Sequence, residues 1–142
     1  MIKPFSETLY TENDDAKNQV IDWLLDNEFT SAAVNPDQFG IDLLAEKDGQ
    51  QYEIEVEVKH NWVGKRFPFG EVHFPARKKK FAKKSEFVWF FMLNHERTHG
   101  LIVDGFDFMN GSVVRKNTSE YDNDLFVEVP TFNCKFVNME KK

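Results

Sequence analysis

The sequence predicts an α/β fold, with a central mixed β-sheet flanked by helices in the order α-β-β-β-α-β. Three observations carry that reading. Residues 14–27 repeat apolar side chains at helical spacing. Residues 29–59 break into three strand-like runs divided by turn residues. The nearly all-apolar run 87–93 follows a basic stretch that opens with Pro75. The 142 residues are enough for a single core, and 15 Phe, 3 Trp and 3 Tyr supply large buried area. Neither a repeat nor a linker interrupts the chain, so residues 1–142 read as one domain.

The first helix, 14–27, takes Asn13 or Asp14 as its cap and has acids in its first turn. Ala16, Val20, Trp23 and Leu24 share one face. Residues 29–34 form a short strand, and Asn35-Pro36-Asp37 a turn. Residues 40–46 form the second strand, Asp48-Gly49 a tight hairpin turn, and residues 51–59 the third strand. In that third strand Glu53, Glu55, Glu57 and Lys59 alternate with Tyr52, Ile54, Val56 and Val58. Residues 60–74 read as an aromatic loop with a short strand at 71–74. Pro75 suits the first turn of a helix running through Lys84. The run 87–93 fits a strand buried on both faces, with 101–103 as its hairpin partner. Residues 113–116 and 125–129 are further strands, the second ended by Pro130.

The hairpin turn fixes a register with consequences for chemistry. A two-residue turn pairs Lys47 with Gln50, which places Asp42 opposite Glu55 and Gly40 opposite Glu57. Paired residues share a face, so Asp42, Glu55 and Glu57 point the same way, with Gly40 leaving room beside Glu57. Three carboxylates on one face repel unless a cation neutralises them. Their hard oxygens suit Mg²⁺, which keeps water and phosphate in its shell. Lys59 follows Glu57 on the same face, where an ammonium can orient a water or stabilise charge developing on phosphate.

These residues, in the segment FGIDLLAEKDGQQYEIEVEVK, resemble the G-x-D…(D/E)-x-K hairpin of the PD-(D/E)XK nuclease superfamily. The helix before the hairpin and the basic segment after it follow that family's order, and the resemblance covers roughly residues 12–103. It implies a restriction-endonuclease-like domain and a Mg²⁺- or Mn²⁺-dependent DNA endonuclease. By it, Asp42 and Glu57 are metal ligands, the Val58 carbonyl a further ligand, and Lys59 the catalytic lysine. It also implies a homodimer, with one site for each DNA strand. Glu55 takes a position usually apolar in that family, which makes it a candidate additional acid. Glu12 and Asp15 are candidates for the acid that many members carry on the first helix. The literal Pro36-Asp37 sits in the turn, five residues before Asp42. The alternative function is a catalytically silent nucleic-acid-binding or assembly module of the same fold.

Net charge is −6, which alone argues against a nucleic-acid partner, but its distribution argues for one. Residues 59–84 hold nine Lys/Arg and one acid, Glu71. Lys65, Arg66, Arg77, Lys78, Lys79 and Lys80 are placed to meet DNA phosphates, while Trp62 and Phe67 can stack on an unpaired base. A lysine run by itself also describes a solvated helix face; its place directly after the Glu-x-Lys strand favours the substrate reading. His95-Glu96-Arg97-Thr98-His99 matches H-E-x-x-H, yet zinc-peptidase chemistry needs a helix there and the context is strand-turn-strand. One cysteine, Cys134, precludes an internal disulfide and fits a cytoplasmic setting. No apolar run is long enough to span a membrane or to serve as a signal core.

Overall fold

The computed structural model describes residues 7–37, 39–83, 85–116 and 124–140. Helix α1 spans Glu7–Asp26. It begins well before residue 14, because neither proline nor glycine interrupts the sequence between residues 7 and 14. Asn13 and Asp14 therefore lie inside the helix rather than capping it. Ala16, Val20 and Leu24, spaced four apart, are fully buried, and Trp23 sets its ring edge-on against Phe91 at 5.4 Å. Removing a buried Leu or Val side chain from water contributes about 1.5–3 kcal/mol, so this stripe binds α1 to the sheet.

Strands β1 (Ser31–Val34), β2 (Leu43–Lys47) and β3 (Gln50–Val58) form an antiparallel meander. The β2–β3 turn has φ 53° at Asp48 and 77° at Gly49, the left-handed pair that a two-residue hairpin requires. The predicted register holds, from Lys47↔Gln50 to Leu43↔Ile54. Strand β4 (Glu71–Pro75) follows a loop, and β5 (Val88–Leu93) then lies parallel to β3. Strands β6 (His99–Asp104), β7 (Ser112–Lys116), β8 (Asp124–Pro130) and β9 (Lys135–Asn138) complete the sheets, with a short helix α2 (Gly105–Met109) after β6.

Two expectations are corrected. The basic stretch after Pro75 is not an α-helix through Lys84, a residue outside those described. It is a single 3-10 segment, Ala76–Phe81, ended by extended Ala82. Pro75 itself belongs to β4, paired with Phe126. Four successive cations leave no apolar stripe for a longer helix to bury. The strands also form two sheets rather than one. The central mixed sheet runs β1-β2-β3-β5-β6-β9, and β4-β8-β7 forms a smaller outer sheet.

The central sheet separates two cores. Ile54, Phe91 and Leu93 face α1, whereas Phe90, Met92 and Val103 face the outer sheet and α2. Phe90 stacks on Phe108 of α2 with centroids 3.9 Å apart. Parallel pairing sets Glu55 beside Phe90 and Glu57 beside Met92. Paired residues share a face, so the β3 carboxylates point toward the outer sheet, at the margin of an apolar core. α2 starts at Gly105, where a Cβ would collide with the Lys83 carbonyl, so only glycine fits.

Candidate active site

Beyond Leu43↔Ile54 the β2 and β3 backbones part. The Val56 N–H donates to Asp42 Oδ2 at 2.9 Å, a side-chain acceptor in place of a β2 carbonyl. Asp42 is held by its own backbone: its carbonyl accepts from Asn35 N at 2.9 Å, and the Asn35 side chain donates to Ile41 O. Gly40 serves this turn instead of leaving space beside Glu57. A Cβ there would stand 2.7 Å from Asn35 Nδ2.

The parting opens a cleft of about 270 Å³ lined by Lys17, Asp42, Glu55, Val56, Glu57, Val58 and Lys78, with Ala16 at its wall. Thus Asp42, Glu55, Glu57 and Val58, named from the sequence, converge. Glu55 is buried at 5 % exposure, and its Oε2 meets no hydrogen-bond donor among the described residues. Two ammonium groups oppose the acids. Lys17 Nζ of α1 lies 3.3 Å from Asp42 Oδ1, and Lys78 Nζ lies 3.6 Å from Glu55 Oε1.

Burial penalises charge on Glu55, and its hydrogen bond to Asp42 favours a retained proton; together they push its carboxyl up to about 8 against the pull of Lys78. Burial also opposes charge on Asp42. The hydrogen bond from Glu55, the Val56 N–H and the two lysines outweigh it and hold that carboxyl below its ordinary value. An acid cleft with a buried oxygen awaiting a donor and room for water fits a hard divalent ion.

Lys59 stands at the end of β3, where its N–H continues the ladder to Leu93 O at 2.8 Å. Its ammonium is 5.3 Å from the centroid of Phe69, outside the residues that line the cleft. Lys78, expected as a phosphate contact, is inside the cleft. Lys17 was not foreseen; its only signal is its place beside buried Ala16 on the helix facing the hairpin. Asp15 is exposed and does not line the cleft; the side chains of Glu12 and Arg77 lie outside those described. Lys79 is exposed, and Lys80 lies over Phe81 at 4.9 Å.

Lys65 and Arg66 border a separate, larger cavity with Trp62 and several phenylalanines. Trp62 is fully buried, so it is a core residue as well as part of that cavity's wall. The H-E-x-x-H segment is a turn, as its context implied. Arg97 has φ 60°, His95 Nδ1 meets His60 Nδ1 at 3.1 Å, and His99 Nδ1 meets Thr98 Oγ1. A second group of potential ligands, Glu71, His73 and Glu128, sits on the outer sheet with ligand atoms within 4.8 Å of one another.

No family model matches the chain, and no curated protein matches it in sequence. Solved structures do share its architecture. A bacterial homing endonuclease, I-Ssp6803I, superposes with a TM-score of 0.52 at 15 % identity over 82 % of this chain and 81 % of its own. The fold is restriction-endonuclease-like. Hjc, a Holliday junction resolvase from the archaeal hyperthermophile Archaeoglobus fulgidus, gives a TM-score of 0.48 at 11 % identity, with 84 % of each chain covered. In this chain the β2–β3 hairpin and β5, the strand parallel to β3, form the framework on which the cleft is built. Among the described residues no helix is long and apolar enough to cross a membrane.

Proposed function

We propose that this chain is a metal-dependent DNA endonuclease of the PD-(D/E)XK type, a single domain acting in the cytoplasm. The observation that carries the reading is the convergence of Asp42, Glu55 and Glu57 in one cleft, with a buried Glu55 oxygen that no donor among the described residues satisfies. The residues that would hold Mg²⁺ or Mn²⁺ are Asp42, Glu57 and the Val58 carbonyl, with Glu55 as the additional acid. Such an ion, when bound, lowers the pKa of a water and polarises the phosphoryl oxygen.

The chain's own residues do the remainder. Lys59 shares the strand face of Glu57, and its flexible stem lets the ammonium leave Phe69 to orient the attacking water and stabilise the phosphorane-like charge. Lys78 rests 3.6 Å from Glu55 Oε1 before substrate arrives, then faces the phosphate that enters the cleft. Lys65, Arg66, Arg77 and Lys79 hold neighbouring phosphates and offset repulsion between DNA and an acidic protein. Two copies, one cleft for each strand, make the working dimer.

One observation favours the alternative, a nucleic-acid-binding or assembly module without turnover. Lys17 and Lys78 already oppose the acids, so the cleft has partial charge compensation without an ion. The two readings separate in one experiment. Wild type and Lys59→Ala are incubated with Mg²⁺ or Mn²⁺ and with supercoiled, linear, single-stranded and branched DNA. Cleavage by wild type alone supports the nuclease. DNA binding that is indifferent to metal, with no cleavage, supports the silent module.

A further inference from the structure

A mainly apolar cavity lies apart from the carboxylate cleft. It measures about 740 Å³, within the usual range of ligand-binding clefts, and rises from the loop after β3 and from the segment around β9. Buried Trp62 forms its floor, and the indole Nε1 meets no hydrogen-bond acceptor among the described residues. Around it stand Phe69, Phe132 and Phe136, which are 40 %, 85 % and 49 % exposed. Leaving three phenyl rings in water at one place is unfavourable, so the surface fits an occupant with an apolar face. Lys65 and Arg66, both exposed, lie on the same wall.

Aromatic rings select for a flat π face, whereas paired cations select for an anion; a nucleotide carries both in one unit. A purely apolar peptide would leave Lys65 and Arg66 without counter-charge. Continuity with the cleft supports the same choice. Lys59, two residues after Glu57, lays its ammonium over Phe69 at 5.3 Å, so one cation touches the cavity wall from the end of the acid strand. A strand running from cleft to cavity would stay on cationic surface.

We propose that this aromatic cavity takes an unpaired nucleotide of the bound DNA, its base stacked on Phe69 and Phe132 and its phosphate on Lys65 and Arg66. The proposal rests on the nuclease reading and specifies its substrate class: DNA with an extrahelical or single-stranded nucleotide, in preference to continuous duplex.

The test uses the full chain in EDTA, with two labelled DNAs: a duplex bearing a single extrahelical 2-aminopurine, and the same duplex without the bulge. Expected are at least about tenfold tighter binding of the bulged DNA, quenching of 2-aminopurine emission on binding, and loss of about fivefold or more of that preference in Phe132→Ala. Phe132 is almost wholly exposed, so its removal spares the fold. Phe106→Ala, an exposed aromatic away from the cavity, keeps the preference. Equal affinity for the two DNAs, unchanged emission, or equal weakening of both by Phe132→Ala overturns the proposal. So does a concentration-dependent dimer that Phe132→Ala dissolves, since a second copy would then be the occupant. Mg²⁺-dependent cleavage of plain duplex without bulge preference removes this proposal and leaves the nuclease standing. Bulge preference and quenching without cleavage sustain the cavity and remove the nuclease.

Discussion

At the edge where β2 leaves β3, Asp42, Glu55 and Glu57 line one recess; on the outer sheet, Glu71, His73 and Glu128 bring their ligand atoms closer together, within 4.8 Å of one another. The outer group completes itself. His73 Nε2 and Glu128 Oε2 lie directly across a strand pair at 2.9 Å, and Glu71 is in solvent. The recess does not. Glu55 is buried beside Phe90, burial pushes its carboxyl up, and its Oε2 meets no donor among the described residues. The comparison teaches that ligand spacing alone does not distinguish a metal centre. Desolvation sets the two apart, and it is the buried Glu55 of the cleft that motivates the proposal of an ion there.

The largest expected effect breaks the comparison at its functional end. Glu57→Ala should lower Mg²⁺-dependent DNA cleavage about 10³-fold, because several kcal/mol of charge stabilisation depend on the ion and each factor of ten takes about 1.4 kcal/mol. His73→Ala should leave cleavage within about twofold, since the outer pair is partly solvated. Rates for the two variants under single-turnover conditions check this; similar losses would erase the distinction. Next, Lys59→Ala should cost about 10²-fold in the cleavage step, the usual loss for one charge-stabilising donor. DNA affinity, read by anisotropy in EDTA, should change far less.

A third prediction concerns pH. The folded Glu55 carboxyl is raised to about 8 from its ordinary 4.5, so it contributes stability that is fully present below the unfolded value. That contribution is lost as pH rises through 8. Metal-free protein should therefore melt at lower temperature at pH 8.5 than at pH 5. Asp42, with its pKa lowered, acts in the opposite direction and only on acidification below its ordinary 3.8. Mn²⁺ should raise the melting temperature more at pH 8.5 than at pH 5, because the ion displaces a proton. Glu55→Gln should flatten the pH dependence. Thermal melts across that range in EDTA and in Mn²⁺ measure all three. The smallest effect is on the outer sheet: His73→Ala should cost no more than about 1 kcal/mol of stability in urea melts.

Local chemistry made the cleft legible. Asp48-Gly49 fixes a two-residue turn, and that turn fixes which residues face one another, so Asp42, Glu55 and Glu57 could be set on one face from spacing alone. The all-apolar run of β5 gave its burial on both sides. Long-range pairing was not legible. Nothing local in Glu71–Pro75 says that it joins Asp124–Pro130 instead of the central sheet, and β9 is four residues with two exposed polar ends. The lysines of the cleft were half legible. Lys78 was visible as a basic residue, but its reach to Glu55 depends on β4 carrying the 3-10 segment across the sheet. Lys17 depends on the angle of α1, set by Ala16, Val20 and Leu24. Trp62 looked like a surface aromatic because a loop surrounds it in sequence, whereas β4, β8 and β9 close over it in space.

The most direct measurement of the central claim is where a paramagnetic ion settles. Mn²⁺ titrated into ¹⁵N-labelled protein should broaden the amides of Val56, Glu57 and Val58 first, and Glu57→Ala should abolish that broadening. Broadening centred on His73 and Glu128, or none at either place, would contradict the assignment of the β2–β3 cleft as the metal centre.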